Sequence, residues 1–122
     1  MAAPNLVSVS SIYGKSVGQE LNTTTTTGIL TCAADKCLKI NSIIVANIDG
    51  TNAADATVNF YDNSMTRRNP LASTVSVPAD STLIVLGKDA PIYLEEGHSI
   101  RGGASANSDL EILICYEIID DA

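Results

Sequence analysis

Apolar and polar residues alternate along most of this chain, and turn-forming residues interrupt the alternation at short intervals. Alternation with a period of two is typical of strands whose two faces meet different surroundings. No stretch keeps the helical period of 3.6 residues for more than about two turns. The pattern therefore predicts an all-β protein with about eight or nine short strands.

The 122 residues are the length of one domain, so we expect residues 1–122 to form a single unit. Antiparallel strands at this density favour a two-sheet sandwich of jelly-roll or Greek-key type, with a closed barrel as the alternative. Residues 62–70 form the most polar stretch and are predicted to be a loop. The predicted strand segments, of which 17–21 is short and 29–32 continues 23–27, cover residues 6–13, 17–21, 23–27, 29–32, 38–48, 56–61, 71–77, 81–88, 92–94, 99–105 and 110–118.

The segment 38–48 is apolar on both faces, and so is the segment 81–88 around its apolar centre at residues 83–86. A strand of this kind lies in the middle of a sandwich or is covered by a neighbouring subunit. Counting by alternation, Ile43 and Val45 point away from the face shared by Leu38, Ile40, Ile44, Ala46 and Ile48. We therefore expect Ile43 and Val45 to contact another protein chain.

Fourteen acidic and seven basic residues give a net charge of −7, which disfavours nucleic acid and anionic membranes as partners. No segment resembles a signal peptide or a membrane span, so the sequence predicts a soluble chain made in a cytoplasm. Arg67 and Arg68 are the only adjacent basic residues. They can bind a carboxylate on a partner protein, or they simply form a charged loop tip.

The chain offers few groups for catalysis. His98 is the only histidine, and its position after Glu95, Glu96 and Gly97 predicts an exposed turn. Glu95 and Glu96 are adjacent and point apart, which favours a solvated turn over an acid–base pair. No nucleophile elbow or phosphate-binding loop is present, so we expect no enzyme activity and no cofactor.

The three cysteines do not form a recognisable metal or disulfide framework. Cys32 and Cys37 are separated by four residues rather than two, and no second pair follows. We expect free thiols in a reducing compartment. A calcium site built from Asp49, Asp55 and Asp62 is the weaker alternative, because these residues lack the spacing of a calcium loop, and we predict no metal.

Turn motifs in the second half carry a resemblance to a known group of proteins. Val77-Pro78-Ala79-Asp80-Ser81-Thr82 precedes one strand, and Leu94-Glu95-Glu96-Gly97-His98-Ser99-Ile100 precedes another. Together with residues 5–12 and 44–55, they resemble small virion structural proteins of tailed bacteriophages, particularly of cyanophages and other marine phages. The resemblance implies a β-sandwich in a virus particle.

From the resemblance we expect a capsid decoration (cement) protein, made in the host cytoplasm and incorporated into the virion. It would form a homotrimer and bind the major capsid protein. A structural sandwich of the tail, neck or fibre is the first alternative. A carbohydrate-binding module is the second, although sugar sites generally use exposed aromatic rings and this chain has only four tyrosines and one phenylalanine.

Overall fold

The protein is described by a computed structural model over residues 11–24 and 28–120. This part of the chain contains nine strands and no helix, which confirms the all-β prediction. The strands are β1 Ser11–Glu20, β2 Gly28–Thr31, β3 Lys36–Asn47, β4 Ala54–Asp62, β5 Arg67–Val77, β6 Thr82–Leu86, β7 Ile92–Leu94, β8 Ser99–Ala104 and β9 Leu110–Asp120.

The strands pair in a nested order. β1 pairs with β9, β2 with β8, β3 with β6 and β7, and β4 with β5, all antiparallel. Rolling up such a long hairpin also brings β9 beside β3 and β8 beside β4. The result is a first sheet in the order β1-β9-β3-β6, with β7 also on β3, and a second sheet in the order β2-β8-β4-β5. This topology is a jelly roll, and the predicted two-sheet sandwich is confirmed.

The core lies between the inner faces of the two sheets. Burying each of its aliphatic side chains contributes about 1.5–3 kcal/mol. Asn47 joins the sheets at one end, because its buried amide nitrogen donates to the carbonyl oxygens of Asn52 and Val77 at 2.9 Å each. The largest fully buried side chains are Leu21, Ile40, Ile43, Leu94, Ile100, Leu110, Ile112 and Ile114.

A β-bulge in β3 decides which residues of this strand face the core. Ile40 is opposite Tyr116 and Ser42 is opposite Cys115, so Asn41 between them has no partner. The extra residue reverses the phase of the alternation. Ile43 and Val45 are therefore buried in the core, each 0% exposed. The prediction that these two residues contact another chain is wrong.

Several strand limits differ from the prediction. β1 continues through Gly14 as one strand, and residues 23–24 are not in a strand. β5 begins at Arg67, so the loop before it covers only residues 63–66. Pro70 can lie within β5 because β5 is an edge strand, where a residue without a backbone NH is tolerated. The predicted strand segments 6–10 and 25–27 lie outside the described residues.

Candidate protein-docking face

The outward face of the first sheet carries a row of apolar residues across four strands. Gly18 of β1 is opposite Leu113 of β9, Leu113 is opposite Ile44 of β3, and Ile44 is opposite Ile84 of β6. Leu113 is 39% exposed and Ile84 is 67% exposed. With Ala46, the next outward residue of β3, these residues form a continuous surface that we call the apolar face.

A shallow groove of about 480 Å³ lies on one side of the apolar face. Gly18, Ile44, Ala46 and Leu113 form its apolar lining. Its depth depends on Gly18, because a β-carbon added there would enter the groove, 3.6 Å from Cδ1 of Leu113. The groove can therefore accept an unbranched apolar side chain from another chain.

Two carboxylates form the rim of the groove. Glu20 and Glu111 line it and are directly opposite each other in the pairing of β1 with β9. Like charges at opposite positions destabilise a strand pair. Neither side chain forms an ion pair with any residue that the structure describes. The Glu20 carboxylate accepts a hydrogen bond from the Ser108 hydroxyl at 3.1 Å, and a cationic group on a partner would add an ion pair at this rim.

Arg67 and Arg68 lie at the start of β5, beside the β4–β5 turn. Both are exposed, and they are opposite Asp62 and Tyr61 respectively. Adjacent strand residues point to opposite faces, so the two guanidinium groups diverge. Met65, in the turn itself, is 70% exposed and is the most exposed of the large apolar residues described. We call residues 63–68 the hairpin tip.

The outward face of the second sheet differs from the apolar face. The guanidinium carbon of Arg101 lies 3.6 Å from the centre of the Tyr61 ring, and the neighbouring outward residue Asn59 is buried. Residues 22–24 cover the sheet at Gly103, where an added β-carbon would lie 2.8 Å from the carbonyl oxygen of Thr24. The chain itself therefore closes much of this face.

His98 is buried rather than exposed, contrary to the prediction. It is 6% exposed, and its Nε2 lies 3.3 Å from Oδ1 of Asp62. Its ring meets the ring of Phe60 edge-on at 5.6 Å. The sequence predicts that His98 lies in an exposed turn. In the structure His98 directly precedes β8, which begins at Ser99, and its imidazole is buried. It supports the hairpin tip and is not open to a substrate.

The three cysteines are free thiols, two of them buried. Burial, with a smaller contribution from the neighbouring Cys37 thiol, raises the pKa of Cys32 to about 11. The Cys32 thiol donates a hydrogen bond to the Lys36 carbonyl oxygen at 3.2 Å. Burial also raises the pKa of Cys37, so both buried thiols are protonated at neutral pH, which makes them poor nucleophiles and poor metal ligands.

The acidic residues considered for calcium or catalysis each serve a separate turn. The Asp49 carboxylate accepts hydrogen bonds from the backbone NH groups of Thr51 and Asn52, which lower its pKa. Glu96 accepts from the backbone NH of Asp35 at 2.7 Å, which lowers the pKa of Glu96. Within residues 11–24 and 28–120, no three histidine, cysteine or carboxylate side chains group as metal ligands. Asp49, Asp55 and Asp62 do not converge.

Comparison with known proteins does not identify a relative. No protein-family model, no curated protein and no solved structure matches the chain. Over the described residues, no helix is both long and apolar enough to cross a membrane. The apolar face, its acidic groove and the hairpin tip are therefore the features that bear on function. Sequence reasoning missed the groove because its members come from β1, β3 and β9, which are distant in sequence.

Proposed function

We propose that this chain is a structural protein of a tailed-phage virion, a capsid decoration protein that stabilises the shell by binding the major capsid protein. The observation that carries the proposal is the apolar face. A row of apolar residues crosses four strands of the first sheet and is exposed to solvent. Residues of the chain itself cover much of the second sheet. Surfaces of this kind mark protein contacts.

The choice of a virion rests on the sequence motifs that resemble phage structural proteins. The fold is consistent with it, since a jelly roll is a rigid sandwich that presents broad sheet faces for lateral contact. The net charge of −7 disfavours the packaged genome as a partner and favours a protein surface.

Cryo-electron microscopy of the native particle tests the location. Density for the sandwich on the outer surface of the capsid is the expected result. Density at the tail, neck or fibre would replace decoration with the alternative structural role. Absence of the protein from purified particles, with binding in a glycan array, would overturn the virion proposal.

A binding experiment tests the face. Ile84→Asp places a charge on the most exposed residue of the apolar face, and we expect it to weaken binding to decoration-free shells by about tenfold or more. Ser73→Asp is the matched control, because it adds the same charge to an exposed strand position of the second sheet. Equal binding by both variants would remove the apolar face from the contact.

A further inference from the structure

The groove of the apolar face and the hairpin tip carry opposite charges, and each presents an apolar surface. The groove is apolar and has Glu20 and Glu111 at its rim. The hairpin tip presents the exposed Met65, followed by Arg67 and Arg68. Methionine is unbranched and flexible, so it fits an irregular shallow groove better than a branched side chain does.

The hairpin tip has a defined shape. The Asp62 carboxylate accepts hydrogen bonds from the backbone NH groups of Ser64 at 2.9 Å and Met65 at 3.2 Å. Asp62 is itself held by His98, at 3.3 Å. Thr66 has a left-handed backbone with φ of 51° and turns the chain into β5. Because the turn is held from inside, Met65 is presented outward with little ordering cost on binding.

The two features lie at opposite ends of the sandwich. Glu111 is one residue from Leu110, which pairs with Asn47, at the end where Asn47 bonds to Val77. The tip follows Asp62, beside His98, at the other end. The tip of one molecule therefore cannot reach its own groove, and the complementary partner is a second copy of the chain.

We propose that the hairpin tip of one copy docks in the groove of the next copy, with Met65 over Gly18 and one arginine of the tip facing Glu20 and Glu111. This inference rests on the proposed function, which requires another chain to cover the apolar face. The contact is head-to-tail, and such contacts close into a ring where the rotation between copies allows it. A ring of three agrees with the trimer expected from the sequence. Ile84 lies outside the groove and remains available to the shell.

Charge also favours this arrangement over a symmetric pair of grooves. Two grooves placed face to face would bring four carboxylates into one interface, whereas the head-to-tail contact sets a guanidinium group against two carboxylates. Opposite charges select the partner and suppress the wrong arrangement.

Light scattering coupled to size exclusion tests the contact. We expect the wild-type chain to run near three times 12.7 kDa. Gly18→Val fills the groove without a strained backbone, and Met65→Ser removes the apolar side chain; each should raise the dissociation constant by about tenfold or more. Lys88→Glu, at an exposed loop position, is the control and should assemble like the wild type.

Charge reversal distinguishes the proposed contact from a general loss of stability. Glu20→Lys with Glu111→Lys should give monomers, and so should Arg67→Glu with Arg68→Glu. The variant that combines all four changes restores opposite charges at every contact and should assemble again. A mixture of the two double variants should pair unlike chains but form no closed trimer, because groove and tip carry opposite charges only between unlike chains and a ring of three cannot alternate.

A wild-type chain that stays monomeric at millimolar concentration would overturn the head-to-tail contact, as would a combined variant that does not recover assembly while remaining folded by circular dichroism. If such a monomer still binds decoration-free shells, the proposed function survives and only this inference fails. If the trimer forms but binds no particle component, the inference survives and the proposed function fails.

Discussion

The outer surfaces of the two sheets differ in how much of each the chain itself covers. The first sheet exposes an apolar row that spans four strands and has no cover among the described residues. The second sheet is covered at Gly103 by residues 22–24, and Arg101 stacks on Tyr61 where the sheet remains open. One face is covered in large part by its own chain, and the other is open over the described residues. A sheet that is apolar on both sides therefore indicates assembly only where the chain does not fold back over it.

The largest expected effect compares a residue of β3 that faces the core with one that faces outward. Ile43→Ala leaves a cavity in the core, and we expect it to lower the free energy of unfolding by about 4 kcal/mol. Ile44→Ala, on the apolar face, should cost less than about 1 kcal/mol in the isolated subunit. Urea denaturation in the Gly18→Val background measures both without the added stability of assembly. Similar losses for the two variants would contradict the bulge at Asn41.

The second effect compares the glycines of the two outer faces. A β-carbon at Gly103 would meet the carbonyl oxygens of Asn22 and Thr24 at 2.9 and 2.8 Å, so Gly103→Ala should lower the free energy of unfolding by about 2–3 kcal/mol. Gly18→Ala, with its nearest atom at 3.6 Å, should cost less than about 1 kcal/mol. Thermal denaturation of the two variants measures both losses. Similar losses would contradict the difference in cover between the two sheets.

The third effect concerns the support of the hairpin tip. His98→Ala removes the buried ring that contacts Phe60 and Asp62, and we expect a loss of about 2 kcal/mol in the free energy of unfolding. Assembly should weaken as well, because the tip loses its internal support, although the apolar face is unchanged. Denaturation and light scattering measure the two losses. Wild-type stability in this variant would mean that the imidazole is not part of the core.

The smallest effect compares a half-buried thiol on the outward side of the first sheet, Cys115, with a thiol in the core, Cys32. Cys115 is half-buried and outward, so it should react with an alkylating reagent in the native protein at pH 8, whereas Cys32 should react only on unfolding. Because burial raises the pKa of Cys32 from 9.0 to about 11, its contribution to stability is complete below pH 9 and falls as the pH rises towards 11. Cys32→Ala should reduce that alkaline loss. Rapid labelling of Cys32 at pH 8 would contradict its burial.

The strand pattern was readable from the sequence because period-two alternation and turn residues are local properties. β7 was predicted with its observed limits, 92–94, and β2, β3, β4, β6, β8 and β9 were predicted within two residues at each end. The turn predicted before His98 also needed only local reasoning, and Gly97 in it has a positive φ of 84°, which glycine adopts readily. The limits of β1 and β5 were missed because long-range pairing extended each strand across residues that break strands, Gly14 and Pro70.

Sequence alone therefore determined the all-β class, the number of strands and the presence of a strand apolar on both faces. Only the tertiary structure decided which face of that strand is outside. No local sequence pattern marks Asn41 as an unpaired residue. It is unpaired because β9 pairs with β3 on both sides of it. The burial of His98 and the junction of Gly18, Glu20 and Glu111 in one groove depend likewise on contacts between distant segments. Alternation is set by neighbouring residues, but exposure is set by whatever packs on top, and that is a property of the whole fold.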